Sequence, residues 1–188
     1  MAKIAIFASG NGSNFEAIVL ACKNGILECD IVGLIVDNPS AFAITRAEKL
    51  GIKYYIVNPK DYQNKQTYEQ AIISKIGKDL DLIVLAGYMR LIGEELLAIY
   101  PDKIMNIHPS LLPKYKGLHA FRRSYESDDL ELGATVHFVN ADLDSGTIIS
   151  QSSFDKQDLN FIEAEDYLHQ IEHQLYTQAI KKILEERR

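Results

Sequence analysis

The sequence predicts an α/β fold: an open, mainly parallel twisted sheet with helices on both faces and a long C-terminal helix. Three observations predict it, namely short continuously apolar runs, glycine-, asparagine- or proline-containing loops that end them, and helical periodicity between them. Runs that are apolar at every position fit strands buried on both faces, and their alternation with helices implies right-handed βαβ units. Ile4 to Ala8 is the first such run and ends in Ser9-Gly10-Asn11-Gly12-Ser13-Asn14. Phe15, Ile18, Val19 and Cys22 then recur at helical spacing up to the stop signal Asn24-Gly25. Ile31 to Val36 is a second strand closed by Asn38-Pro39, and Ala43, Ala47 and Leu50 mark a helix ending at Gly51. Tyr54 to Val57 reads as the third strand. A helix around Tyr68, Ile72, Ile73 and Ile76 leads into Leu82 to Ala86, the most apolar strand of the set. Glu94 to Ile99 reads as a short helix and Ile104 to Ile107 as the next strand, followed by a helix from near His119 that carries Arg122 and Arg123. Gly133 to Val139 and Thr147 to Ser153 read as two strands rich in β-branched residues. From Phe161 onward, Ile162, Tyr167, Leu168, Ile171, Leu175, Ala179 and Ile183 predict one long amphipathic helix. Glu172-His173 reads as a polar interruption of it, and Glu185 to Arg188 as a frayed, solvated end. The whole is Rossmann-like.

Within 188 residues no linker rich in glycine, proline or serine divides the chain, so a single domain spanning 1–188 is expected. Apolar residues make up 47% and charged residues 24%, enough for a large core and too apolar for disorder. A formal net charge of −6 disfavours a nucleic-acid partner, because a phosphate backbone is repelled unless basic residues are concentrated in one patch. Cys22 and Cys29 fit neither a metal nor a CxxC spacing and read as buried free thiols in a reducing compartment. The apolar residues before Ser9 are too few for a secretion signal or a membrane span, so a cytoplasmic protein without a membrane partner is expected, with monomer and homodimer both open.

The chemistry is concentrated after the strand at Ile104. Asn106 and His108 lie two apart, so in an extended strand both heads point to one side, and Pro109 ends the strand there. A carboxamide that donates without titrating beside an imidazole that can shuttle a proton suits an oxygen gaining negative charge. Ser9 to Asn14 places two glycines where a helix begins, an arrangement that binds anions, though a tight turn capped by Ser13 or Asn14 is the alternative. Its spacing is neither GxGxxG nor GxxxxGK[ST], which points to a monophosphate. Asp144, in a loop bounded by Gly146, can orient an imidazole or simply make a turn. Glu172-His173 reads as a solvated pair and His137 as structural. His119, His137 and His169 show no metal-ligand spacing, so no metal is expected. No serine sits in a GxSxG elbow and neither cysteine has an activating context. The set suggests direct acyl-type transfer to a nucleophile carried by the substrate.

Taken together, Ser9-Gly10-Asn11-Gly12-Ser13-Asn14, Leu85-Ala86-Gly87-Tyr88-Met89-Arg90, Asn106-Ile107-His108-Pro109-Ser110-Leu111-Leu112-Pro113-Lys114-Tyr115 and Leu143-Asp144-Ser145-Gly146 closely resemble the phosphoribosylglycinamide formyltransferases of purine synthesis. The resemblance spans nearly the whole chain and rests on four motifs in the right order. It implies formyl transfer from 10-formyltetrahydrofolate to the amine of 5-phosphoribosylglycinamide. It implies a catalytic trio of Asn106, His108 and Asp144, with Asp144 raising the pKa of His108. It also implies substrate-phosphate contacts at Gly12, Ser13 and Asn14 and an acidic contact to the glycinamide at Glu172. Lys65, Met89, Arg90, Leu91 and Ile92, together with Asn106 and the loop Asn140, Ala141, Asp142, Leu143 and Asp144, would line the folate pocket. Several positions depart from that family's usual pattern. Lys116 stands in place of a proline and Ala120-Phe121 in place of Thr-His, which bears on loop rigidity. Lys65 stands in place of an arginine, Ser145 and Thr147 in place of Gly and Pro, and Thr177 in place of a proline. Methionyl-tRNA formyltransferase and formyltetrahydrofolate hydrolase share the Asn, His and Asp trio, but each adds a further domain for which 188 residues leave no room.

Overall fold

The computed structural model describes residues 1–187; Arg188, the last residue of the charged end, lies outside the described residues. Seven strands, β1 (Ala2–Ala8), β2 (Cys29–Val36), β3 (Tyr54–Ile56), β4 (Leu82–Leu85), β5 (Ile104–His108), β6 (Glu131–Phe138) and β7 (Ile148–Asp155), form one sheet. Its order is β3-β2-β1-β4-β5-β6-β7. The first five strands are parallel and β6 runs antiparallel to both β5 and β7, the short loop after β6 turning the chain back on itself. The expectation of a mainly parallel open sheet is met.

Helices α1 (Ser13–Lys23), α2 (Phe42–Leu50), α5 (Ala120–Tyr125) and α6 (Phe161–Glu186) cover one face, and α3 (Lys65–Ile76) and α4 (Glu94–Ile99) the other. Strand β1 shows why the apolar runs are continuous: Ile4, Ile6 and Ala8 enter the core under α1 and α6, while Ala5 and Phe7 enter the core under α3 and α4, all with no exposed surface. At roughly 1.5–3 kcal/mol for each large side chain buried, both faces must be apolar for this strand to sit at the centre. The strand order reverses between β1 and β4, and in open α/β sheets the crevice beyond the carboxyl ends at that switch receives ligands.

Three details differ from the sequence reading. Helix α6 runs without interruption through Glu172-His173: a capping box of Asn160 and Glu163 starts it, and Thr177, where a proline would lack the donor, keeps its backbone N–H and bonds its hydroxyl to His173 O at 2.8 Å. Glu172 is buried at 6% exposure rather than solvated. The charged end is docked, since the Arg187 guanidinium donates to the carbonyls of Asp81 and Asp102. Fully buried Tyr176 turns its hydroxyl to the carbonyl oxygens of Leu85 (3.0 Å) and Met105 (2.9 Å), so α6 grips β4 and β5 just before their functional ends. Cys29 is buried and Cys22 half-buried, both free, with sulfurs 3.3 Å apart.

Candidate active site

The loop after β1 is stitched to the loop after β4: Ser9 N–H donates to Gly87 O at 3.1 Å, and Met89 N–H to Ser9 Oγ at 2.8 Å. Gly12 lies in the left-handed region (φ 76°), and a Cβ there would stand 2.7 Å from Ala43 Cβ, so conformation and the close approach of α2 both require glycine. Helix α1 starts immediately after, and no side chain among the described residues caps it. Ser13 and Asn14 are therefore not caps, which leaves the first amides of α1 for an anion. Asn14 instead reaches Glu172, its Nδ2 donating to Oε2 at 3.3 Å, and His169 Nδ1 meets the same oxygen at 3.1 Å. The Glu172 carboxylate beside it raises the His169 pKa, whereas burial lowers that of His173. Asn14 Oδ1 and His173 Nε2 are buried without a hydrogen-bond partner among the described residues.

At the end of β5, Asn106 and His108 turn to the same side, as the period-two argument requires. His108 Nδ1 lies 3.4 Å from Asp144 Oδ2, and its Nε2 lies 2.9 Å from Tyr115 O. The carbonyl can only accept, so the neutral ring carries its hydrogen on Nε2 and takes up a proton at Nδ1, against Asp144. Asp144 also accepts from Gly117 N–H at 2.9 Å. Burial alone would raise its carboxyl, but the His137 hydrogen bond, the Gly117 amide and the charges of His108 and His137 outweigh that and lower its pKa to about 2. Asp144 is thus ionised throughout the neutral range. Asp144 does raise the His108 pKa, but the expected net position above the ordinary value is not reached. Burial lowers His108, and the Tyr115 carbonyl and Asp144 charge only partly offset it.

His137 was read as structural and is part of this cluster. It lies on β6 directly opposite Asn106 of β5, with Nε2 at 3.4 Å from Asn106 Nδ2 and 3.6 Å from Asp144 Oδ1. Its Nδ1 donates to Phe138 O at 2.8 Å, so Nε2 of the neutral ring accepts from Asn106 and leaves that amide's second N–H for the cleft, and only the protonated ring donates from Nε2 to Asp144 instead. The signal lay in strand register: Asn106 and His137 occupy one rung, a pairing that sequence separation alone does not disclose.

The other expected positions lie at the start of α3, in the segment after β4 and in the loop before Asp144. Met89, Leu91 and Leu143 are large apolar side chains at 72%, 64% and 52% exposure. The side chain of Ile92, by contrast, is buried in the core under α3 and α4. Arg90 is pinned by its Nε to Asp37 Oδ2 at 2.7 Å, a buried carboxylate at the end of β2. Tyr88, just before this segment, is hydrogen-bonded hydroxyl to hydroxyl with Tyr68 and packs edge-on to Phe7. Lys65 is exposed at the start of α3, against Gly93, where the segment enters α4. Buried Glu69 of α3 accepts the Gly93 and Leu96 amides and caps α4, a second anchor the sequence did not reveal. Asn140, Ala141 and Asp142 are exposed in the loop before Asp144, where Asn140 Oδ1 accepts from Asp142 N–H at 3.1 Å.

The departures also find places. Lys116 Nζ donates to Ser145 Oγ at 2.5 Å, so two of them meet across the loops that carry Gly117 and Asp144. Ala120 and Phe121 are buried, with Phe121 against Phe161 of α6. Thr147 O accepts from Phe138 N–H at 2.9 Å, a bond that a proline would keep.

An open α/β sheet with an amide, an imidazole and an ionised carboxylate clustered at the end of β5, and with an uncapped helix start after β1, suits an enzyme that moves a small acyl-type group between two bound molecules. The profile of the family described as formyl transferase matches residues 2–180. The chain is 44% identical to a phosphoribosylglycinamide formyltransferase of Bacillus subtilis (strain 168) over 186 residues, covering 98% of this chain and 95% of that protein. It superposes on glycinamide ribonucleotide transformylase 1 from Geobacillus kaustophilus with a TM-score of 0.93 at 41% identity, covering 98% of this chain and 99% of that one. It also matches the trifunctional purine biosynthetic protein adenosine-3 of Drosophila melanogaster, 31% identical over 97% of this chain and 14% of that protein. The chain belongs to the formyl transferase family.

Proposed function

We propose that this chain, acting as one domain over residues 1–188, transfers the formyl group of 10-formyltetrahydrofolate to the primary amine of 5-phosphoribosylglycinamide in de novo purine synthesis. The observation that carries this reading is the gathering of Asn106, His108, His137 and Asp144 at the end of β5. The names of the relatives supply the substrate class. The folate supplies an electrophilic formyl carbon. Its flat rings fit the exposed apolar rim of Met89, Leu91 and Leu143, and Lys65 offers a charge to its acidic tail. The amides of Gly12, Ser13 and Asn14 hold the substrate phosphate, and Glu172 holds the glycinamide end.

In this reading the free Asn106 N–H donates to the oxygen that gains charge as the amine attacks. His108, neutral at rest, accepts the amine proton at Nδ1 and later delivers it to the leaving nitrogen. Asp144 opposes the charge while the ring is protonated. The location is the cytoplasm; no helix among the described residues is long and apolar enough to cross a membrane.

The deciding experiment mixes protein, folate donor and phosphoribosylglycinamide and follows deformylated folate by absorbance. Release that needs the amine substrate supports transfer. Release without the amine means hydrolysis, and phosphate binding without turnover means a binding module. A narrower test is Gly12→Ala. The added Cβ meets Ala43 in a backbone conformation that disfavours side chains, which costs about 1–3 kcal/mol and shifts the loop. Titration calorimetry should show phosphoribosylglycinamide binding weakened at least several-fold and folate binding unchanged. Equal weakening of both would place the phosphate elsewhere.

A further inference from the structure

We infer that Thr135 and Gln151 are positioning residues that clamp the turn after β5 and thereby set which nitrogen of His108 receives the proton. The inference rests on His108 acting as the proton carrier proposed above. His108, Thr135 and Gln151 occupy one rung across β5, β6 and β7, so their side chains share a face of the sheet. Thr135 has no exposed surface, and its hydroxyl is saturated. It donates to Ser110 O at 2.7 Å and accepts from Leu112 N–H at 3.0 Å and from Gln151 Nε2 at 2.8 Å. Gln151 stands exposed on the edge strand, yet its amide spends a second hydrogen on Leu112 O at 2.9 Å. One hydroxyl and one carboxamide thus hold three backbone groups of the turn, and neither has a donor to spare for slippage.

The turn then delivers its far end to the imidazole. Ser110 Oγ donates to Lys114 O at 2.8 Å, and the next carbonyl, that of Tyr115, faces His108 Nε2 at 2.9 Å. The charged and titratable groups that act on His108 from its other sides are Asp144, His137 and Arg123. Of these, Asp144 pairs with it, at Nδ1. Tyr115 O is therefore the contact that keeps hydrogen on Nε2 and leaves Nδ1 to receive a proton. If the clamp is released, Tyr115 O withdraws and the Nδ1–H tautomer, donating to Asp144, becomes the better neutral form. The ring can then no longer take a proton at Nδ1.

The test uses the free full-length protein and the ring nitrogen shifts of His108. Wild type should show the Nε2–H tautomer. Thr135→Val, close in shape but without the hydroxyl, should populate the Nδ1–H tautomer and lower turnover about ten- to a hundredfold, the scale expected for a catalytic group displaced by about an ångström. KM for phosphoribosylglycinamide should hold, and Thr135→Ser, which restores the hydroxyl, should recover most of the loss. Gln151→Leu should move both readouts in the same direction by less, and its exposure makes it the deciding variant if Thr135→Val does not fold. Folded variants with the wild-type tautomer would overturn the clamp and leave the formyl-transfer reading standing. A wild type with the expected tautomer and no formyl transfer would overturn that reading and leave the clamp standing.

Discussion

Asn106→Ala should lower turnover by roughly two to three orders of magnitude with the fold intact, the size of loss seen when one donor to a developing oxyanion is removed. The side chain is half-buried at the mouth of β5, and its loss opens space toward the crevice rather than a void in the core. Its partner in the structure, His137 Nε2, remains on the opposite rung and still bonds Phe138 O through Nδ1, so the cluster loses one donor and keeps its frame. Steady-state kinetics should show kcat and kcat/KM falling together. A rise in KM with kcat unchanged would make Asn106 a ground-state binding residue.

Asp144→Asn keeps shape and removes charge, and turnover should fall by roughly 10² to 10⁴, as when the carboxylate orienting a catalytic imidazole is neutralised elsewhere. Burial already holds the His108 pKa below its ordinary value, and Asp144 is one of the two contacts that pull it back up. In the variant the His108 titration should therefore move further toward acid, with the pH-rate profile following it. An NMR titration in which the His108 midpoint stays or rises would remove the electrostatic role and leave only positioning of the loop. Stability carries a second signature. The Asp144 carboxyl is lowered to about 2 from 3.8, so its contribution is complete above the higher value and is lost as pH falls toward the lower one. Urea denaturation of Asp144→Asn should show a shallower loss of stability across that interval than wild type.

The parts legible in the sequence were those written in local periodicity. Ile4 to Ala8 had to be a central strand because no residue in it tolerates water, and Asn106 and His108 had to share a face because two residues in a strand always do. Illegible were contacts made by register between distant segments. His137 reads as one more alternating strand residue until β6 is laid against β5, and no local pattern marks Glu69 as the acceptor of the Gly93 and Leu96 amides. The Glu172-His173 pair misled for the opposite reason. Two polar residues side by side look like a break, but on a helix whose neighbours Leu168, Leu175 and Tyr176 are buried, Glu172 points inward and finds Asn14. The net His108 shift is not legible in the sequence because a nearby charge can be inferred from motifs, whereas the degree of burial cannot.

The tyrosine pair beneath the Met89–Ile92 segment gives this protein an intrinsic optical reporter. The chain has ten tyrosines and no tryptophan, so its near-ultraviolet dichroism is free of indole bands. Tyr68 and Tyr88, bonded hydroxyl to hydroxyl and with Tyr88 edge-on to Phe7, are held in a fixed asymmetric environment of the kind that produces such a signal. Burial raises the phenol pKa of both, so neither ionises in the working pH range to confuse the spectrum. Because Ser9 joins the loop after β1 to Met89, a sugar-phosphate ligand that is itself transparent in this region can be titrated against those bands, and movement of the Met89 segment followed without a label.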